Sequence, residues 1–144
     1  MSIEYREDTS TIEVIISHFE NCDEDFIAGL VKKIDINEYS KKIFDNAKRF
    51  EAWYGDSLAG LAALYINEND FLYLTNISVN KDFTGRKIAS TLLEQCIVFA
   101  RKQKAELIRL EVEKQNIPAI RLYEKFNFRV VETSAGAQFM ERKL

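Results

Sequence analysis

Apolar and polar positions along the chain follow two periods, one typical of helices and one typical of strands. Spacings of three and four residues predict helices over 11–20, after Asp35, from Ile88 and from Asn116 to Asn127. Alternating or continuous apolar runs predict strands over 3–6, 50–54, 59–66, 71–79, 107–112, 128–132 and 138–143. Strands in sequence order, then alternating helices and strands, predict an α/β (α+β) fold with a mixed sheet and helices on its faces.

The first helix shows its predicted buried face most clearly, through Ile12, Ile15, Ile16 and Phe19. His18 lies off this stripe, and with no acid or metal-ligand pattern beside it we expect a surface residue. A second apolar piece, over 26–31, does not decide between helix and strand.

The second helix begins at Asp35, which forms a capping-box pattern with Glu38. Its predicted buried face consists of Tyr39, Ile43, Phe44, Ala47 and Phe50. In the following hairpin, Gly60 interrupts a strand pattern, which indicates a bulge or a close backbone approach.

Composition limits the classes of protein that fit this chain. Its 144 residues, 47% of them hydrophobic, suit one domain over 1–144, and a net charge of −3 with interspersed signs argues against nucleic acid or an anionic membrane as a partner. Cys22 and Cys96 lie far apart, so we predict two buried thiols and neither a disulfide nor a metal site. An acidic N-terminus and the lack of a long apolar run predict a cytoplasmic protein.

A short basic loop between the strand over 71–79 and the helix from Ile88 is the first candidate site. It contains Thr84, Gly85, Arg86 and Lys87. Peptide N–H groups at the start of a helix lack intrahelical acceptors, and together with the helix dipole they favour a phosphate. An ordinary strand-to-helix turn with solvated basic side chains explains the same residues, so both interpretations stay open.

A second candidate site lies in the strand and helix over 107–127. Glu111 stands in the strand, Asn116 at its end, and Ala119 and Tyr123 one helical turn apart on one face. Asn116 can bind an amide group of a ligand or hold its own loop. Tyr123 can reach toward a ligand, or it can be a core residue with a wet hydroxyl.

Taken together, the loop and the segment LEVEKQNIPAIRLYEKFNF resemble the acetyl-CoA-binding core of the GNAT family of N-acetyltransferases. The resemblance covers about half of the chain, over 72–131. In the family's loop pattern of Gln or Arg, two residues, Gly, one residue, then Gly or Ala, Thr84 and Lys87 stand at the first two signature positions and depart from them, whereas Ala89 fits. Gly85 and Arg86 also match common family residues.

The resemblance implies an acetyl-CoA-dependent N-acetyltransferase that needs no metal. It implies a mostly antiparallel sheet of about six to seven strands with about four helices, splayed between the strands that end near Val79 and Val112. It implies acetyl-CoA binding by the following residues: Ile77, Ser78, Val79, Thr84, Gly85, Arg86, Lys87, Ile88, Ala89, Ser90, Asn116, Ala119 and Tyr123.

Catalytic roles follow from the resemblance as well. Tyr123 matches the tyrosine beside the cofactor sulfur and is the candidate general acid. Glu111, twelve residues before it, matches a glutamate that serves some members as the base. The alternative is that Glu111 only supports the sheet and that a water chain is the base.

The acceptor is left open, as a small amine, an amino sugar or a protein amine. Specificity is expected to depend on the N-terminal helices and on the segment around Gln138, and the acidic total charge favours a cationic acceptor. A non-catalytic acyl-CoA sensor is the alternative function. A Rossmann-type nucleotide binder fits less well, since the loop lacks the GxGxxG pattern. Both a monomer and a homodimer are compatible with the sequence.

Overall fold

The structure, a computed structural model, describes residues 2–22, 35–67 and 70–144. Within these residues there are four α-helices, namely α1 (Ile12–Glu20), α2 (Ile36–Asn46), α3 (Ile88–Lys102) and α4 (Ile117–Lys125). The strands are β1 (Glu4–Glu7), β2 (Lys48–Tyr54), β3 (Ser57–Ile66), β4 (Phe71–Val79), β5 (Leu107–Glu113), β6 (Arg129–Thr133) and β7 (Ala137–Lys143). The apolar piece over 26–31 lies outside the described residues.

All seven strands form one sheet in the order β1-β2-β3-β4-β5-β7-β6. Neighbouring strands are antiparallel except β4 and β5, which are parallel and are connected through α3. This arrangement confirms the predicted mixed, mostly antiparallel sheet. The strand bounds also agree with the predicted ones to within a few residues.

Two apolar cores cover the two faces of the sheet. The larger one joins α3 and α4 to the sheet, with Leu92, Leu93 and Phe128 fully buried in it. The smaller one joins α1 and α2 to β2 and β3, around Phe19 and Ile43. At roughly 25 cal/mol per Å² of apolar area removed from water, burial of this kind is the main stabilising term.

A bulge in β4 decides which of its side chains face which core. Ala63 of β3 pairs with Asn76, but the next residue, Leu64, pairs with Leu74, so Thr75 is an extra residue. Leu72 and Leu74 contact the larger core before the bulge, and residues 77 and 79 contact it after the bulge. Because the bulge shifts the alternation by one residue, Asn76 and Ser78 are directed at the side of α1.

Gly60 lies beneath the start of α3, as its position in a strand pattern suggested. It pairs with Ala52, whereas Trp53 pairs with Leu58, so Ala59 is bulged. A Cβ atom on Gly60 would lie 2.5 Å from Cγ2 of Ile88, a distance that real Cβ atoms do not tolerate. Of the two alternatives considered for this glycine, the bulge is observed next to it, and the atoms that approach it closely are side chains of α3.

Two predictions about the N-terminal helices are wrong. His18 is buried, because the buried stripe of α1 runs through Ile15, His18 and Phe19 and continues to Cys22. The helix α2 ends at Asn46, which leaves Phe44 40% exposed and places Phe50 in β2. Asp35 does cap α2, with its carboxylate accepting from the N–H groups of residues 37 and 38.

Both cysteines are buried, as predicted. Burial raises the pKa of the Cys96 thiol, which keeps it protonated. In the described ranges no group of three His, Cys, Asp or Glu side chains is placed to hold a metal ion. No helix in those same ranges is long and apolar enough to cross a membrane.

Candidate active site

The strands β4 and β5 separate in the middle of the sheet. Their parallel pairing runs only from Phe71 and Leu107 to Leu74 and Leu110. Beyond that point β4 is still paired with β3, and β5 with β7. Beyond Leu74 and Leu110 the facing edges of β4 and β5 are therefore no longer paired with each other, and a gap opens between them. This is the splay that the resemblance implied.

The basic loop follows directly from the free half of β4. Asn80 accepts the N–H of Asp82 at 2.9 Å and so begins a short 3-10 helix, Lys81–Phe83. Residues 84–87 are exposed, and the side chain of Lys87, the N-cap of α3, makes no capping hydrogen bond. The uncapped N–H groups at the start of α3, over 88–90, together with the positive end of its dipole, form an anion-binding end.

Lys87 occupies a position where the resemblance leads one to expect glycine, and its backbone explains that preference. Its φ of 59° and ψ of 24° lie in the left-handed region, which glycine adopts without steric cost. Gly85, two residues earlier, also has a positive φ, of 81°. This chain keeps the turn with a lysine, at a cost of about 1 kcal/mol.

Arg86 and Thr84 complete the loop. The Arg86 guanidinium lies 5.3 Å from the ring centre of Phe83, and the Thr84 hydroxyl donates to the Lys81 carbonyl at 3.4 Å. The cation of Arg86 is therefore held on the loop itself. Ile88 is buried against Gly60, whereas Ala89 and Ser90 are half-buried on the first turn of α3.

On the other side of the gap, Asn116 and Tyr123 belong to α4. Asn116 is the N-cap, and its side-chain oxygen accepts from the N–H of Ala119 at 3.3 Å. Of the two roles considered for Asn116, holding its own loop is the one observed. Tyr123 is 7% exposed and packs against Phe128, with ring centres 5.7 Å apart. Burial, with smaller contributions from Cys96 and Tyr39, raises its pKa, so the hydroxyl keeps its proton.

Glu111 lies on β5 just after the pairing with β4 ends, and its side chain is exposed. Burial first, and then the charge of Glu111, raise the pKa of Tyr73 on the neighbouring strand. Glu111 also lines an open cavity of about 420 Å³, together with Glu113, Gln115, Ser134, Gly136 and Ala137. The Glu111 carboxylate and an open cavity thus lie together at the end of β5 beyond its pairing with β4.

A buried polar network beside the gap was missed from the sequence. The His18 Nδ1 group donates to the Leu58 carbonyl at 3.0 Å, and Nε2 lies 2.9 Å from the Ser78 hydroxyl. Asn76 donates to the same hydroxyl at 3.1 Å and to the Leu61 carbonyl at 3.2 Å. Spacing from Ile15 and Cys22 places His18 on the buried stripe, and this signal could have found it.

Comparison with known proteins agrees with this geometry. The family model described as Acetyltransferase (GNAT) family matches residues 15–128. An N-alpha-acetyltransferase of Saccharolobus solfataricus is 40% identical over 65 residues. That match includes 44% of this chain and spans 39% of the relative's length.

Solved structures share the whole fold at lower identity. The PaiA N-acetyltransferase of Thermoplasma acidophilum, solved in complex with coenzyme A, superposes with a TM-score of 0.81 at 22% identity over 100% of both chains. The ribosomal-protein-S18-alanine N-acetyltransferase of Escherichia coli also gives a TM-score of 0.81, at 19% identity, over 99% of this chain and 94% of its own. With the family model matching most of its length, this chain belongs to the acetyltransferase (GNAT) family.

Proposed function

We propose that the protein transfers an acetyl group from acetyl-CoA to a primary amine. The observation that carries the proposal is the gap between β4 and β5, where the pairing of the two strands stops at Leu74 and Leu110. The uncapped start of α3 and the exposed loop over 84–87 follow at the end of the same strand. The pantetheine arm of acetyl-CoA fits the gap, and the pyrophosphate joined to that arm fits the start of α3, so the ligand needs the gap and the loop next to each other.

In this proposal the pyrophosphate of acetyl-CoA binds the loop and the first turn of α3. The donors are peptide N–H groups from Gly85 to Ser90, and Arg86 and Lys87 add positive charge. The left-handed conformation of Lys87 supports this assignment, because it gives the loop the shape that glycine gives elsewhere. Peptide groups of Ile77 and Val79 would hold the pantetheine arm along the free edge of β4.

The reaction proposed is direct attack by the amine. A neutral amine nitrogen attacks the thioester carbonyl, the carbon–sulfur bond breaks, and the amine loses a proton while the departing thiolate gains one. The raised pKa of Tyr123 supports a role as the acid, because its hydroxyl is protonated at neutral pH and has a proton to donate. The exposed position of Glu111 at the free end of β5 supports a role as the base that receives the amine proton.

The acceptor we propose is the α-amine of a protein or peptide, with a small amine or an amino sugar as the other candidates. The name of the Saccharolobus solfataricus relative, an N-alpha-acetyltransferase, favours a protein α-amine. The open cavity beside Glu111 and Ser134 supports an acceptor that enters from the end of β5. Carboxylates in its lining favour an amine that arrives as a cation.

A second candidate function is a non-catalytic acyl-CoA sensor. Thr84 and Lys87 depart from the loop pattern with which the family binds pyrophosphate, and this departure favours the sensor. The two functions differ in one measurable respect, since only the enzyme releases free coenzyme A when an amine is present.

Release of free thiol from acetyl-CoA, followed with a thiol-reactive dye, tests the proposal. The panel contains a peptide with a free N-terminus, the same peptide blocked at its N-terminus, a polyamine and an amino sugar. We expect thiol release with the free peptide, and a kcat lower by about 100-fold or more in Tyr123→Phe and in Glu111→Gln. Binding of acetyl-CoA without thiol release for any amine would overturn the proposed enzyme and support the non-catalytic sensor. A Glu111→Gln enzyme with wild-type kcat would show that Glu111 is not the base.

A further inference from the structure

The half of β4 that borders the gap has a neighbouring strand along one of its two edges, the edge of β3. Its residues pair with β3, from Ala63 with Asn76 to Gly60 with Val79, and among the described residues no strand pairs with them on the side of β5. A strand edge that binds a ligand must be held at its working position by other contacts. Residues 77 and 79 pack on the larger core, and side chains of β4 on the opposite face make further contacts with the helices on the side of α1.

His18 supplies one of these contacts at Ser78. It is 2% exposed and bridges two adjacent strands, with Leu58 at the start of β3 and Ser78 near the end of β4. A carbonyl oxygen can only accept, so the proton of the neutral ring is on Nδ1, and Nε2 accepts from the Ser78 hydroxyl. The pKa of His18 is lowered to about 4 by burial, which keeps the ring neutral and this arrangement intact near pH 7.

The hydrogen bonds form one directed chain. Asn76 donates to Ser78, Ser78 donates to His18, and His18 donates to Leu58. Every member is buried, so each lost partner leaves a polar group without water to replace it. The chain therefore allows one position for Ser78 relative to α1 and β3.

We propose that His18 is a positioning residue of the acetyl-CoA site, and that through the Ser78 hydroxyl it holds the free edge of β4 where the pantetheine arm binds. The inference rests on the proposed function, because it assigns His18 to the same site. His18 touches neither the cofactor nor the reacting atoms in this proposal. Its effect passes through Ser78 to the peptide groups on either side of it.

Two pairs of variants test this. Ser78→Ala removes the hydroxyl that His18 binds, whereas Ser40→Ala removes a hydroxyl that is equally buried but has no hydrogen-bond partner among the described residues. His18→Gln places an amide oxygen near the position of Nε2 and can still accept from Ser78. His18→Asn keeps a donor near Nδ1 for the Leu58 carbonyl and loses the contact with Ser78.

The measurements are the Kd for coenzyme A by calorimetry, the melting temperature, and KM and kcat for acetyl-CoA. We expect Ser78→Ala and His18→Asn to raise Kd and KM about five- to tenfold with kcat changed less than twofold. His18→Gln and Ser40→Ala are expected to stay within about twofold of the wild-type Kd. A merely structural role would make Kd follow the melting temperature in all four variants.

The outcomes separate the two proposals. Absence of coenzyme A binding by the wild type would overturn the proposed function, and this inference with it. Binding by the wild type together with an unchanged Kd in Ser78→Ala would overturn the inference alone. So would a Kd that rises equally in His18→Gln and His18→Asn.

Discussion

The Tyr39 hydroxyl donates a 2.7 Å hydrogen bond to the carbonyl of Thr75, the bulged residue of β4. The same hydroxyl lies 3.0 Å from the Thr75 side-chain oxygen. Thr75 is also the first residue of β4 beyond its pairing with β5. An α2 side chain therefore holds the strand at the point where the gap opens, and α1 holds it again at Ser78 through His18.

Replacing Tyr39 with phenylalanine should destabilise the protein by about 1 kcal/mol, because the Thr75 carbonyl loses its donor. Urea unfolding measures this change. Tyr5→Phe is the control, since the Tyr5 side chain is exposed, and it should leave the stability unchanged. Equal losses in the two variants would mean that the Tyr39 hydrogen bond contributes nothing.

Gly60→Ala should destabilise by about 1–3 kcal/mol, because the new Cβ would overlap the Ile88 side chain and approach Leu92 within 3.1 Å. The first turn of α3 must move to relieve the overlap, so the affinity for coenzyme A should also fall. Thermal unfolding and calorimetry give the two quantities. Gly136→Ala, with no atom within 4 Å of its new Cβ, is the control and should behave like the wild type.

Lys87→Gly should stabilise the protein by about 1 kcal/mol, because glycine adopts the left-handed conformation without the steric cost that lysine carries. Lys87→Ala keeps the strain and removes only the ammonium group, so its stability should equal that of the wild type. Comparing coenzyme A affinity in the two variants separates charge from backbone shape. A less stable Lys87→Gly protein would contradict the assigned strain.

Acid should weaken the protein through His18. The folded-state pKa is about 4 and the unfolded value about 6.5, so the unfolded chain binds more protons between these values. Stability present above pH 6.5 is therefore lost as the pH falls toward 4, by about 3 kcal/mol for this residue. Unfolding free energies of wild type and His18→Gln, measured from pH 7 to pH 4, should diverge by that amount; parallel curves would contradict the prediction.

Much of the fold follows from local pattern. The strand Phe71–Val79 and the start of α3 at Ile88 were predicted at their observed positions, because alternation and helical spacing are properties of neighbouring residues. Asn127, where the last helix was predicted to end, adopts a left-handed φ of 68°. Gly60 was informative for the same reason, since a glycine within a strand signals a close contact.

The candidate site divides differently. Its loop and its second unit, with Glu111, Asn116 and Tyr123, were found from the sequence by their order and spacing. His18 was predicted to be exposed and is buried, whereas Phe44 was predicted to be buried and is exposed. Both depend on which side of a helix meets the sheet, and a short helix with apolar residues around much of its circumference leaves that side undecided.

The sequence by itself determined the elements, their order and the family, because these rest on periodicity and on motifs of a few adjacent residues. Only the tertiary structure decided where β4 leaves β5 and what holds it there. The bulge at Thr75 shifts the alternation of β4 side chains between the two faces of the sheet by one residue. Asn76 and Ser78 therefore face α1. The contacts that result join residues up to 60 positions apart, and no local pattern specifies such distances.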